Sequence, residues 1–173
     1  MSGITFNLRF TETKRPRIAD VPTAIARGLN EGGDRVRTQV QRALKQQTGV
    51  KAYSSITKRI RTNGAAAGRL AYVIHAMGPG IPIKEFPVKA SAHGPVTANV
   101  WATPHTFKRS FKSSVRGLLL ARKSDDKYAE IRVLYGPNLA KELHQGIVPA
   151  VFLHSAQLFV PPAIMRSLAK VFS

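Results

Sequence analysis

The chain has 173 residues, with 27 Lys and Arg against 9 Asp and Glu, a formal charge of +18, and no cysteine. That length suits a single domain with a real core, and the lack of thiols excludes a disulfide framework, cysteine catalysis and thiolate zinc sites. A pI of about 11.2 calls for an anionic ligand or an acidic partner.

In chain order, Ile4, Phe6, Leu8 and Phe10 alternate with polar residues, which predicts a half-buried strand. Lys14–Arg17 follows as a basic loop. Val21, Ile25, Leu29, Val36, Val40 and Leu44 then recur at helical spacing, with Asp20 to cap and Pro22 in the first turn. The reading is one helix from about Val21 to Gln47, stopping before Gly49. Gly28, Gly32 and Gly33 each cost such a helix about 1 kcal/mol against Ala, so either another backbone packs close there or the helix bends.

Tyr53–Arg61 reads as a second, short helix, and Asn63–Gly68 as a small-residue linker. From Leu70 the period changes to two. Leu70–Met77, Phe86–Ser91, Val96–Trp101, Ser114–Ala121 and Ala129–Tyr135 read as strands, with Asp125-Asp126 at a hairpin tip. Gly136-Pro137 opens a helical turn to about Gln145, with Pro137 as the first helical residue, and Pro161-Pro162 opens a last amphipathic piece carrying Ile164, Leu168 and Phe172. The expected fold is α+β: a long N-terminal helix and C-terminal helices packed on a mainly antiparallel sheet. No run reads as the roughly 18 apolar residues of a membrane span. Met1–Phe10 lacks the pattern of a signal peptide, so the chain is expected to be soluble and cytosolic when made.

The charge is regional. Between Asp34 and Asp125 the only acid is Glu85. The densest basic piece, Lys51, Lys58, Arg59, Arg61 and Arg69, is the candidate surface for DNA or for an acidic protein. Phe107 and Phe111 lie among basic residues, where base stacking is conceivable, but they read better as core; Trp101 reads as core or interface. No catalytic residue, cofactor site or metal site is expected. The nucleotide-binding, zinc-protease and hydrolase motifs are missing, the carboxylates do not cluster, and His75, His93, His105, His144 and His154 are scattered.

Two segments carry a resemblance. Ile81-Pro82-Ile83-Lys84-Glu85-Phe86 is similar to an Ile-Pro-Leu-x-x-Phe stretch, and Leu134-Tyr135-Gly136-Pro137-Asn138-Leu139 to a Leu-Tyr-Gly-Pro-Ser stretch, of the minor tail protein Z family of long-tailed phages and prophages. The order of the remaining segments also resembles that family. These include the Thr48-Gly49 end of the long helix and the basic Ile56–Arg61 piece. The segment around Phe107 is more basic than the family pattern, and the end after Pro161-Pro162 is shorter.

The resemblance implies a structural virion protein that completes the tail and joins it to the DNA-filled head. It would form a homo-oligomeric ring around the DNA channel, next to tail-terminator and head-completion proteins, with no membrane and no catalysis. Tyr135, Gly136, Pro137 and Phe159 are the candidate subunit-interface residues. The competing expectation is a free-standing, sequence-independent nucleic-acid-binding protein.

Overall fold

The structure is a computed structural model that describes residues 20–89, 95–113 and 117–172. The expected strand at Ile4–Phe10, the loop Lys14–Arg17 and parts of the strands expected at Phe86–Ser91 and Ser114–Ala121 lie outside the described residues. The architecture is α+β, with long helices at the two ends of the described chain and antiparallel strands between them.

Helix α1 spans Asp20–Thr48, close to the range its apolar spacing predicts. Gly49, with φ +75°, ends it, and its N–H donates to the Lys45 carbonyl at 3.0 Å; only glycine adopts this backbone freely. Val36, Val40 and Leu44 are buried, whereas Val21, Ile25 and Leu29 are only half-buried. The core therefore gathers around the C-terminal half of α1.

Helix α4, Val148–Phe172, packs along α1. A Cβ at Gly28 would lie 2.5 Å from the Ile164 Cα, and one at Gly32 2.8 Å from the Val160 Cα. The glycines thus admit a second backbone, one of the two explanations the sequence leaves open. Two sequence expectations need correction here. Pro161-Pro162 lies inside α4 rather than opening it. Each proline removes a backbone donor, which ordinarily costs about 3 kcal/mol, but both prolines face solvent, where water can satisfy the carbonyls they orphan. Uninterrupted, α4 is also long and apolar enough to meet the length and hydropathy of a membrane span, with a mean hydropathy of 1.4. The sequence reading missed this because it cut the helix at the prolines.

Between the helices lie three small antiparallel sheets rather than one. After the single helical turn α2, Ser54–Thr57, strands β1, Ile60–Asn63, and β2, Val73–Ala76, pair with Ile60 opposite Ala76. The short helix is thus shorter than expected, and its basic end is strand. Strands β3, Val88–Lys89, β4, Val96–Val100, and β5, Thr103–Phe107, form the second sheet. Strands β6, Ser110–Lys112, β7, Leu119–Arg122, and β8, Ile131–Val133, form the third, with Asp125-Asp126 in the β7–β8 connection as expected. The single turn α3, Leu139–Glu142, follows. Asn138 caps it by accepting from the Ala140 N–H at 2.9 Å. Pro137 is therefore outside the helix, not at its first position, because Asn138 supplies the stronger cap.

Candidate functional site

The two segments that carry the family resemblance meet. Ile81, Ile83 and Phe86 are fully buried, and these side chains anchor the first segment in the core. Its backbone then pairs with the second. Ile81 N–H donates to the Pro137 carbonyl at 2.9 Å, Gly136 N–H to the Ile81 carbonyl at 2.7 Å, and Ile83 N–H to the Leu134 carbonyl at 3.0 Å. Two glycines make the approach possible: a Cβ at Gly80 would run into the Gly136 carbonyl, and one at Gly136 would sit 3.1 Å from the Phe86 ring. Continuous strand ends at Val133, so a junction does occupy this position.

Turn α2 lies beside this junction. Its fully buried Ile56 fixes it to the core and turns Lys58 and Arg59 toward the junction. Between the two is a cleft of about 540 Å³ lined in part by Ser54, Lys58, Arg59, Met77, Gly78 and Tyr135. The fold therefore brings two of the basic candidates, Lys58 and Arg59, together with one interface candidate, Tyr135.

The cations of this region are not equivalent. Arg59 holds Glu85 in a two-point ion pair, with Nη2 to Oε1 at 3.0 Å and Nη1 to Oε2 at 3.2 Å, and also donates to the Ser55 carbonyl at 2.8 Å. Burial pushes the Glu85 carboxyl up, but hydrogen bonds from Arg59 and Ser55 and the charges of Arg59 and Lys84 outweigh it and hold the group below its ordinary value. The one acid between Asp34 and Asp125 is thus committed to one of the predicted binding residues. Lys51, Lys58 and Arg61 are exposed and make no ion pair among the described residues. Arg69 donates to the Gly64 carbonyl at 2.9 Å. The linker beside it is tied to α1, because Asn30 accepts from the Ala65 N–H at 2.7 Å and donates to the Ala65 carbonyl at 3.0 Å.

Of the interface candidates, Tyr135 is half exposed on the cleft, Gly136 and Pro137 form the paired junction, and Phe159 is half-buried on α4, away from the cleft. Gly136 and Pro137 are thus spent on internal pairing. Lys51, Arg61 and Arg69 do not line the cleft. Chemically, the cleft offers the Lys58 ammonium and hydroxyls to an anion, because the Arg59 guanidinium is committed to Glu85, which lines the same cleft.

Sequence reasoning missed one polar centre. Glu142, only 2% exposed, accepts from Gln47 Nε2 at 2.5 Å, Gln145 Nε2 at 2.8 Å and Trp101 Nε1 at 3.1 Å. Trp101 and Ala102 form the β4–β5 turn at φ 52° and 57°, so Trp101 is neither core nor free but is held by its indole. No linear motif announces this centre, since its members are separated by most of the chain. Phe107 packs against the core as expected. Phe111 does not enter the core; it lies half-buried beneath Arg122, whose Cζ is 5.6 Å from the ring centroid.

No family model, curated protein or solved structure matches this chain.

Proposed function

We propose that this chain is a structural, non-catalytic component of the phage head–tail junction, forming a ring that completes the tail and joins it to the DNA-filled head. The observation that carries the reading is the junction itself. The two segments resembling the minor tail protein Z family are far apart in sequence, yet they form one backbone-paired unit anchored by Ile81, Ile83 and Phe86. This pairing supports the reading, since it makes the two segments parts of one structural unit.

Two further features support assembly over a free-standing nucleic-acid binder. Helix α4 leaves Phe152, Leu153, Leu158 and Met165 exposed, a large apolar face for a solitary protein. That stretch of α4, Val148–Met165, also carries no Lys, Arg, Asp or Glu, so copies of a +18 chain can approach there without like-charge contact. Ring subunits meet through heterologous interfaces that close on themselves.

Mass spectrometry of purified particles tests the reading. The chain should be present at a small, constant copy number, and loss of its gene should yield filled heads and unjoined tails. Its absence from complete, infectious particles would overturn the reading and leave the free nucleic-acid binder.

A further inference from the structure

We propose that helix α4 joins successive copies of this chain head to tail: its outward apolar ridge seats in an apolar groove of the next copy, bounded by β2, α3 and the start of α4. The proposal rests on the ring reading for its head-to-tail sense and names the two faces that meet.

The ridge follows from the spacing of residues in α4. Val151, Leu158, Met165 and Phe172 stand seven residues apart, and His154, Pro161 and Leu168 fall between them. Steps of three and four alternate, which lays these side chains along one side of a helix, with His154 the one polar member. Leu158, Met165 and Phe172 are each more than half exposed. The other side of the helix is given to α1: Ala163 and Ser167 are buried, and Gly28 and Gly32 admit the backbone at Ile164 and Val160.

The groove has a volume of about 550 Å³, within the range of about 300–1,000 Å³ typical of clefts that take up a ligand. Val40, Val73, Leu143, Val148, Phe152 and Leu153 give it an apolar lining, and Val73, Phe152 and Leu153 are exposed. No Lys, Arg, Asp or Glu of the described residues lines it. At 3.6 residues per turn, Phe152 and Leu153 project at least about a third of a turn away from Leu158 and Met165. One copy therefore cannot fill its own groove with its own ridge. A ridge on one side and a groove on another is the arrangement of a heterologous interface, and an apolar helix face laid in a groove is a recurrent mode of recognition.

Charge selects a second copy as the occupant. An acidic protein would be met by cations, yet the only charges of α4 are Arg166 and Lys170, and both lie toward α1. Arg166 donates to Glu31 at 2.8 Å, and Lys170 lines a cleft with Asp20 and Arg27. A helix resting on a lipid surface carries Lys or Arg beside its apolar face and Trp or Tyr at headgroup level. The ridge has no such cations beside it, and α4 contains no Trp or Tyr. Copies of a +18 chain repel one another except where uncharged faces meet, and each copy carries two such faces.

Polar groups and area both favour the groove over a second ridge. Pro161 and Pro162 leave the carbonyls of Gln157 and Leu158 without a helical donor. A second α4 laid on the ridge has spent its own N–H groups internally, whereas His75 and His144 bring ring N–H donors to the groove. The 25 residues of α4 make a face about 37 Å long and 10–12 Å wide, or about 400 Å². That is about half of the 800 Å² each partner of a stable interface buries. Walls from β2 and α3 supply more contact than a bare helix does.

The test uses the full chain, whose lack of cysteine lets introduced thiols report the contact. Met165→Cys marks the ridge and Val73→Cys the groove, both at exposed positions. A flexible bismaleimide should cross-link dimers in an equal mixture of the two and far fewer in either alone. In sedimentation, wild type should self-associate, and more tightly as salt rises, since screening relieves the repulsion between copies and leaves apolar contact intact. The double variant Leu158→Glu, Met165→Glu lowers the net positive charge, so association governed by charge would strengthen. The proposal requires it to weaken at least about tenfold, because seating would bury carboxylates without partners. The variant should melt like wild type; if it melts well below, Leu158→Gln with Met165→Gln is measured in its place.

A chain that stays monomeric at every salt concentration overturns the proposal. So does cross-linking of Met165→Cys alone as strong as that of the mixture, which would make the contact a two-fold pairing of ridges. Flotation with phosphatidylcholine vesicles by wild type and not by the glutamate variant would assign the ridge to a lipid surface, and association that weakens with salt would assign it to an acidic partner; either overturns the proposal. Particle composition is read separately. A chain absent from particles that still cross-links ridge to groove overturns the phage reading and not the contact, and a monomeric particle protein does the reverse.

Discussion

Gly28 shows how one residue decides between local and tertiary energetics. Mid-helix Ala is preferred to Gly by about 1 kcal/mol, so an isolated α1 would gain from Gly28→Ala. In the folded chain the added Cβ would lie 2.5 Å from the Ile164 Cα and 2.9 Å from its nitrogen. Backbone cannot rotate away as a side-chain tip can, so α4 must move. Overpacking of this kind costs about 1–3 kcal/mol and exceeds the propensity gain. Gly28→Ala should therefore destabilise the protein in urea unfolding by up to about 2 kcal/mol net. A stabilised variant would show that α4 does not lie against α1 at this point. The case of Gly33 is different in kind, since there the neighbour is the Tyr72 ring, whose hydroxyl donates to Asp34 at 2.7 Å and holds it in place.

At the scale of elements, the ion pair between Arg59 at the end of α2 and Glu85 in the turn before β3 fastens two segments that share no strand pairing. Both side chains are mostly buried, at 21% and 23% exposure, so screening removes little of the interaction. Glu85 is held below its ordinary value in the fold. The unfolded chain therefore binds its proton first as pH falls. The stabilisation is fully present above the ordinary carboxylate range and is lost as pH drops through the folded value. Arg59→Met should cost about 2 kcal/mol at pH 7, and the gap from wild type should close as the medium is acidified. Urea unfolding of both proteins across acidic pH checks this; a gap independent of pH would assign the destabilisation to packing alone.

The same scale shows what the sequence could express. α1 was legible to within a residue or two because its apolar spacing, Asp20 and Gly49 all agree. Strand β5 was not, since Pro104 argues against a strand. The structure admits it because β5 is the edge of its sheet, where a missing donor is tolerated. Ile60 and Arg61 read as the end of the short helix and Asn63 as the start of the linker, but Ile60–Asn63 pairs with β2, and only the fold supplies that partner.

For the whole molecule, the candidate cleft was half legible. Lys58 and Arg59 stand together in a basic run, but their meeting with Tyr135 depends on a junction between distant segments. Total charge was plain from the start, and it makes a prediction of its own. Glu31, Asp34, Glu85, Asp125 and Glu130 all have basic partners already, yet the chain retains a formal charge of +18. Exposed pairs are worth about 0–1 kcal/mol each, whereas the surplus cations repel over distances near the Debye length, about 10 Å at 0.1 M salt. Screening should therefore relieve more repulsion than it removes attraction. Raising sodium chloride from about 20 mM to 500 mM, which shortens that length severalfold, should raise Tm by several degrees. One kcal/mol corresponds to about 2–4 °C in a chain of this size. A fall in Tm would mean that the ion pairs outweigh the net charge. Duplex DNA at low salt should raise Tm further, since a ligand that binds only the folded state stabilises it by mass action.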